Sequence, residues 1–181
     1  MLTLASGSPQ RRAILEQLGV EFEVVVPGVE EVERGDPGEV ALENARRKAL
    51  AACGDLVLGV DTVVALGGRI YGKPGSVAEA GDTLRALSGR EHAVISGVCL
   101  CRRGELRTAT ARTRVHFRDL PAALIEWYLA TDEWRGRAGG YAIQGRGGAL
   151  VRAIDGDYLN VVGLPVATLL ELIPGLLGAK D

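Results

Sequence analysis

Apolar residues lie along this chain in short runs separated by polar, glycine-bearing turns, a pattern that predicts both strands and helices. The run at 56–66 is nearly continuous and predicts a buried strand, and Gly67-Gly68 after it predicts a hairpin. Residues 106–118 alternate between apolar and polar positions, which predicts a strand with a solvated basic face. Further strands are predicted at 2–5, 22–26 and 92–101.

Five segments are predicted as helices, and three of them begin with a capping residue, namely Ser8, Asp36 or Ser76. The predicted helices cover residues 8–18, 36–53, 76–88, 122–130 and 165–174. Since strands and helices are mixed rather than strictly alternating, we predict an α/β fold with a mixed sheet and two lobes around a central cleft.

Two segments in the last third of the chain carry separate predictions. The polar, glycine-bearing segment 131–140 is a candidate lid. Asp155-Gly156 is a strong two-residue turn signal between the segments 149–154 and 158–162, so we expect a hairpin of two strands there.

Composition narrows the class of protein. With 181 residues and 47% hydrophobic content the chain is long enough for one compact domain, which we place at 1–181. The formal net charge of −2 gives no general basic field, so we expect no nucleic-acid partner, and any polyanion must be held locally.

Neither the cysteines nor the N-terminus indicates an extracellular or membrane protein. The three cysteines are too few and too unevenly placed for a disulfide framework, and no zinc-ligand spacing occurs. The apolar run at 2–5 is too short for a signal peptide or a membrane span. We therefore expect a cytoplasmic protein with no membrane partner.

The turn Ser6-Gly-Ser-Pro-Gln-Arg-Arg12 enters a predicted helix with two hydroxyl groups and two guanidinium groups. Free backbone N–H groups at a helix start, together with these side chains, can bind phosphate. The alternative is a capped helix with exposed arginines, which is common.

Asp61 interrupts the apolar run of the longest predicted strand. A buried carboxylate needs a partner, so Asp61 is a candidate to bind a divalent ion or to take a proton from an attacking water. The alternative is a structural aspartate satisfied by backbone N–H groups or an arginine.

Lys48 in a predicted helix and Lys73 in the segment Tyr71-Gly-Lys-Pro74 are further candidates. For either lysine alone, a solvated position is the favoured interpretation. Together with Arg11 and Asp61, they supply the cations and the carboxylate that a phosphoanhydride reaction needs.

These residues lie in stretches that resemble the Maf family of nucleoside triphosphate pyrophosphatases almost from end to end. The matching stretches are Leu4-Ala-Ser-Gly-Ser-Pro-Gln-Arg11, Glu43-Asn-Ala-Arg-Arg-Lys-Ala49, Gly59-Val-Asp-Thr-Val-Val64, Gly72-Lys-Pro74, Leu87-Ser-Gly-Arg-Glu-His-Ala-Val94, Arg137-Ala-Gly-Gly-Tyr-Ala-Ile-Gln-Gly145 and Asn160-Val-Val-Gly-Leu-Pro165. The resemblance implies a two-lobed mixed α/β fold related to inosine triphosphatase-like folds. It also implies metal-dependent hydrolysis of nucleotides to a monophosphate and pyrophosphate.

The resemblance also implies roles for single residues. Substrate binding is implied for Ser6, Ser8, Arg11, Lys48, Thr62, Lys73 and Gln144. Asp61 would hold the metal, Mg²⁺ or Mn²⁺, or activate water, and Glu31 matches an acidic position that assists with the metal. Thr62 and Gln144 match the branch of the family that prefers dTTP and UTP.

Three positions depart from the family pattern. Gln10 stands where the family usually has Arg, Arg137 where it has Lys, and Ser96 where it has Thr. Gln10 is the departure with the largest expected effect on phosphate binding, because it lacks the positive charge of the family's arginine. Whether the neighbouring Arg12 replaces that charge is open at the level of sequence.

Two other functions stay open at the level of sequence. One is a non-catalytic regulator of septum formation in cell division, and the other is a purine house-cleaning pyrophosphatase. A nucleotide is the expected partner, and a homodimer is left open.

Overall fold

The computed structural model describes residues 1–178. Its strands are β1 (Leu2–Ala5), β2 (Phe22–Val25), β3 (Leu56–Leu66), β4 (Arg69–Tyr71), β5 (Glu91–Arg102), β6 (Glu105–Phe117) and β7 (Val151–Asp155). Its α-helices are α1 (Pro9–Gln17), α2 (Pro37–Ala51), α3 (Val77–Leu87), α4 (Ala122–Leu129), α5 (Tyr158–Val162) and α6 (Val166–Leu172). Short 3₁₀ helices cover Ala138–Gly140 and Arg146–Leu150.

The strands form one mixed sheet in the order β2-β1-β3-β5-β6-β7, with β4 paired to β3. β1 runs parallel to both β2 and β3, and the other pairs are antiparallel. This confirms the predicted mixed-sheet α/β fold, and the β3–β4 pair confirms the hairpin at Gly67-Gly68.

A gap along one edge of β3 opens the sheet where the site lies. β1 pairs with β3 from Leu56 to Gly59, and β4 pairs with it from Val64 to Leu66. Between these stretches the pairing in residues 1–178 leaves β3 without a strand on that edge. The chain leaving β1 therefore flanks the middle of β3, which carries Asp61 and Thr62.

Two hydrophobic clusters pack on opposite sides of this gap and form the two predicted lobes. The first joins the start of the sheet to α1 and α6, and it includes Leu4, Leu58, Val60, Leu15 and Leu169. The second joins the C-terminal end of β3 and the N-terminal end of β5 to α3 and α4. It includes Val64, Val94, Leu84, Leu87 and Tyr128. The long strands run through both lobes, so the cleft lies across the middle of the sheet.

Helix α2 packs very closely against the middle of β3 and β5. A Cβ atom at Gly59 would lie 2.1 Å from the carbonyl oxygen of Ala45, and one at Gly97 would lie 2.4 Å from that of Ala41. Only glycine leaves room for this approach. The close contact allows side chains of α2 to reach Asp61.

The predicted hairpin at Asp155-Gly156 is wrong. Residues 158–162 form α5 instead, and β7 pairs with β6. The Asp157 side chain caps α5 by accepting a hydrogen bond from the Leu159 N–H at 2.8 Å. Asn160 in α5 then donates to the carbonyl of Val94 and to the Thr113 hydroxyl, which fixes the segment as a helix against the sheet.

Candidate active site

A cavity of about 520 Å³ lies between the two lobes. Its walls contain all nine site residues predicted from the sequence: Ser6, Ser8, Arg11, Glu31, Lys48, Asp61, Thr62, Lys73 and Gln144. These residues are far apart in the sequence, and the fold brings them to one cleft.

Asp61 is buried, and its carboxylate is bound on both oxygens. Oδ1 lies 2.6 Å from the Lys48 ammonium, and Oδ2 accepts a hydrogen bond of 3.2 Å from the Asn44 amide. Asp61 shares its face of β3 with Val57 and Val63, which pack in the clusters beneath α2. The partner that a buried carboxylate requires is therefore a lysine from α2.

Lys48 holds a second carboxylate as well. Its ammonium lies 2.6 Å from Oε1 of Glu31, whose side chain is 43% exposed at the mouth of the cleft. Two carboxylates thus meet one cation. Lys48 itself is 9% exposed, so its stem is packed while its charged end reaches the cleft.

Asn44 is a positioning residue that the sequence did not single out. Its side chain accepts from the Val32 N–H at 2.7 Å and donates to the Val32 carbonyl at 2.9 Å. Since Val32 follows Glu31, Asn44 fixes the backbone beside one carboxylate while it also binds Asp61. Its position four residues before Lys48, on the same face of α2, was the available signal.

Arg11 is buried in the opposite wall and forms three hydrogen bonds. Its guanidinium donates to the Gly163 carbonyl at 2.8 Å, to the Ser6 hydroxyl at 2.8 Å and to the Thr62 hydroxyl at 3.1 Å. Burial lowers the pKa of Arg11, and the charges of Asp61 and Glu31 act in the opposite direction. An arginine stays ionised in proteins, and two of its five N–H donors are left for an anion.

The structure at the start of α1 shows whether Arg12 supplies the charge that Gln10 lacks. Ser8 caps the helix and donates its hydroxyl to the Gln10 side chain at 3.1 Å, and Gln10 lines the cleft. Arg12 lies on the exposed face of α1, where it pairs with Glu16 at 2.8 Å. Arg12 is not among the residues that line the cleft, so it does not replace the missing charge.

The lobe of α3 and α4 contributes cations from the other side. Lys73 follows β4, is exposed, and forms no ion pair within residues 1–178. Arg137 also lines the cleft, and its Nε is buried without a hydrogen-bond partner. Positive groups therefore face the cavity from both lobes, an arrangement suited to an extended polyanion.

A comparison with known protein families shows which family this chain belongs to. The family model described as Maf-like protein matches residues 1–176. The chain belongs to the Maf family. The resemblance inferred from the seven sequence stretches is thereby confirmed.

Curated Maf relatives align along nearly their full length. One from Pyrococcus abyssi is 46% identical over 180 residues, which cover 96% of this chain and 95% of the relative. One from Thermococcus kodakarensis is 47% identical over 178 residues, covering 95% of each chain. One from Deinococcus radiodurans is 44% identical over 177 residues, covering 95% of this chain and 91% of the relative. All three are named dTTP/UTP pyrophosphatase.

The part of the chain that the structure describes lacks two features, a cluster of metal-ligating side chains and a membrane-spanning helix. Within residues 1–178 no group of three or more histidine, cysteine or acidic side chains is placed to hold a metal ion. Over the same residues no helix is both long and apolar enough to cross a membrane. Asp61 and Glu31 both contact the Lys48 ammonium, and no third histidine, cysteine or acidic side chain within residues 1–178 joins them in a metal-binding group.

Proposed function

We propose that this Maf protein hydrolyses nucleoside triphosphates, preferably dTTP and UTP, to a nucleoside monophosphate and pyrophosphate. The observation that carries the proposal is a buried carboxylate, Asp61, in a cleft lined by cations from both lobes. The names of the relatives at 44–47% identity support the same reaction and the same bases.

The triphosphate binds across the cleft in this proposal. Ser6, Ser8 and Arg11 contact it from the wall of α1, and Lys73 contacts it from the other lobe. Charge on the transferred group is thereby neutralised from two directions, which stabilises the transition state more than the ground state. Because both lobes contribute, we propose that residues 1–181 act as one catalytic domain.

Asp61 is proposed as the proton acceptor for the attacking water. Its carboxylate is fixed by Lys48 and Asn44, so it does not need to reorganise when the water is deprotonated. The attack breaks the bond between the α and β phosphates. The water oxygen becomes part of one product and the bridging oxygen part of the other, which gives one monophosphate and one pyrophosphate.

A divalent cation fits this site as an addition brought with the nucleotide. Mg²⁺ is commonly bound by one or two carboxylates together with substrate phosphates, and Asp61 and Glu31 bring two carboxylates together, each 2.6 Å from the Lys48 ammonium. These two residues would hold Mg²⁺ or Mn²⁺. The ion would supply charge neutralisation at the phosphates.

Thr62 and Gln144 are proposed to contact the substrate from the cleft walls, with Gln144 reading the base. The Gln144 side chain is exposed, lines the cavity and makes no hydrogen bond within residues 1–178. Its amide offers one acceptor and one donor group, which match the imide N–H and a carbonyl of thymine or uracil. Cytosine presents a different pattern, so the site is expected to reject it.

A competition assay tests the proposal. An equal mixture of dTTP, UTP, dCTP, dATP, GTP and ITP is incubated with the protein and Mg²⁺, with Asp61→Asn protein as the control. We expect dTTP and UTP to disappear first and the variant to be slower by at least about 10²-fold, the scale of a positioned acid–base group. Faster loss of ITP would favour purine house-cleaning, and no turnover of any nucleotide would favour a regulatory protein.

A further inference from the structure

The turn that carries Gln144, residues 142–148, rests on the carboxylate of Glu133. Oε2 of Glu133 accepts a hydrogen bond from the Gly147 N–H at 3.3 Å. A Cβ atom at Gly145 would lie 2.5 Å from the same oxygen, so the carboxylate is packed directly against the residue that follows Gln144. Glu133 therefore contacts the turn at two points.

Glu133 is itself held in place by the end of α4. Its backbone N–H donates to the Thr131 hydroxyl at 3.2 Å, and that hydroxyl donates to the Tyr128 carbonyl at 2.7 Å. The next residue, Trp134, is 1% exposed and donates its indole N–H to the Leu129 carbonyl. The carboxylate thus projects from an anchored segment rather than from a free loop.

The other end of the turn is fixed by the same helix. The Ala142 N–H donates to the Tyr128 hydroxyl at 3.0 Å. Within the turn, the Gly145 N–H donates to the Ala142 carbonyl, and the Gly148 N–H donates to that of Gly145. Tyr128 and Glu133 hold the two ends, and Gln144 lies between them.

Gln144 depends on this backbone because its own side chain has no hydrogen bond within residues 1–178. We propose that Glu133 is a positioning residue that sets base selectivity by fixing the turn 142–148. The inference rests on the proposed role of Gln144 in reading the base. It assigns Glu133 no contact with the substrate and no part in hydrolysis of the phosphoanhydride.

The first test compares Glu133→Ala and Glu133→Gln with the wild-type protein. The readout is the ratio of kcat/KM for dTTP to kcat/KM for dCTP. We expect Glu133→Ala to lower this ratio by about tenfold, the scale of one misplaced hydrogen bond to the base. Glu133→Gln keeps an acceptor for the Gly147 N–H, so we expect an intermediate ratio. Glu126→Ala, which removes an exposed glutamate of α4, is the matched control and should leave the ratio unchanged.

The second test moves the carboxylate without removing it. The methyl group of Gly145→Ala would collide with the end of a flexible side chain, so Glu133 is expected to swing away from the turn. We expect Gly145→Ala to lower the selectivity ratio as Glu133→Ala does, and the double variant to be no worse than either single variant. Additive losses would overturn the proposal, because they would mean independent effects.

Two outcomes separate this inference from the proposed function. Thermal melting first shows whether Glu133→Ala and Glu133→Gln are folded. If these folded variants keep the preference for dTTP while Gln144→Ala abolishes it, the role of Glu133 is wrong and that of Gln144 stands. If Gln144→Ala itself keeps the preference, base reading by Gln144 is wrong, and the inference about Glu133 falls with it.

Discussion

At the scale of single residues, the Lys48 ammonium joins the two acidic side chains of the site, Asp61 and Glu31. Asp61 was recognisable because a carboxylate in an apolar strand needs a partner. The partner is Lys48, thirteen positions earlier on α2, and one lysine binds both Asp61 and Glu31. No local pattern specifies such a triad, because it depends on how closely a helix approaches a strand.

Gln10 gives the sharpest prediction at this scale. Since Arg12 pairs with Glu16 outside the cleft, Gln10→Arg should add one further cation to the wall of the cavity. We expect a lower KM for dTTP and a higher kcat/KM, by at most the factor that corresponds to about 1.5–3 kcal/mol for a charge-assisted contact. Steady-state kinetics at fixed ionic strength measure the change.

Arg12→Gln is the control for that substitution. Its side chain is exposed and lies away from the cleft, so its loss should leave kcat/KM within about twofold of the wild-type value. A marked fall in kcat/KM with Arg12→Gln would mean that Arg12 reaches the cleft and contacts the substrate. A marked fall in kcat/KM with Gln10→Arg would mean that Gln10 makes a specific contact of its own.

At the scale of elements, most strands and helices followed from spacing and capping residues. Ser8, Asp36 and Ser76 cap α1, α2 and α3 as predicted. The error at 158–162 has a physical cause, because a segment of only five residues that is mostly apolar fits a strand or a helix equally well. Tertiary hydrogen bonds from Asn160 decide between them, and these are invisible in the local sequence.

The contact between α2 and the sheet is testable through Gly97. A methyl group there would meet the backbone of Ala41 at 2.4 Å, and backbone cannot give way as a side chain end can. We expect Gly97→Ala to lower the free energy of unfolding by about 1–3 kcal/mol, the usual cost of overpacking. Because α2 carries Lys48, kcat/KM should fall as well.

Urea unfolding and steady-state kinetics check both effects. Gly175→Ala is the control, since a Cβ atom there has no neighbour within 4 Å, and it should change neither quantity appreciably. If Gly97→Ala matched this control, helix α2 would not be held as closely as the structure shows.

At the scale of the whole molecule, stability should depend on pH through His92. This residue is 2% exposed, its ring lies 4.8 Å from that of Phe117, and its Nε2 is 2.8 Å from the Tyr141 hydroxyl. Burial, with a smaller effect of His116, lowers the pKa of His92 to about 4 from an ordinary value of 6.5. Between these values the unfolded chain binds a proton that the folded protein does not, so stability falls as the pH falls.

The expected size follows from the two pKa values. Between pH 7 and pH 5 the His92 contribution should lower the free energy of unfolding by about 2 kcal/mol. Carboxylates contribute too, so the comparison is between wild-type protein and His92→Gln, each unfolded in urea at both pH values. The variant should lose about 2 kcal/mol less than the wild type over this range. An equal loss in both proteins would show that the pKa of His92 is the same in the folded and the unfolded protein, which would contradict the prediction.

The position of the cleft between the two lobes could not be predicted from local sequence patterns. The order of elements predicted a mixed sheet with two lobes around a cleft, and the resemblance to the Maf family implied the same arrangement. The position of the cleft follows from a gap in strand pairing along β3 between Gly59 and Val64. That gap is a property of how β1 and β4 align, which no periodicity in the sequence reveals.

The function proposed for this Maf protein requires that it cut a nucleoside triphosphate between its α and β phosphates. Phosphorus NMR of dTTP incubated with the protein and Mg²⁺ tests this claim most directly, because every product is seen at once. Cleavage at that bond gives dTMP and pyrophosphate in equal molar amounts, so the pyrophosphate resonance should grow with twice the integrated intensity of the dTMP resonance, and no dTDP should form. Growth of dTDP and orthophosphate instead would contradict it.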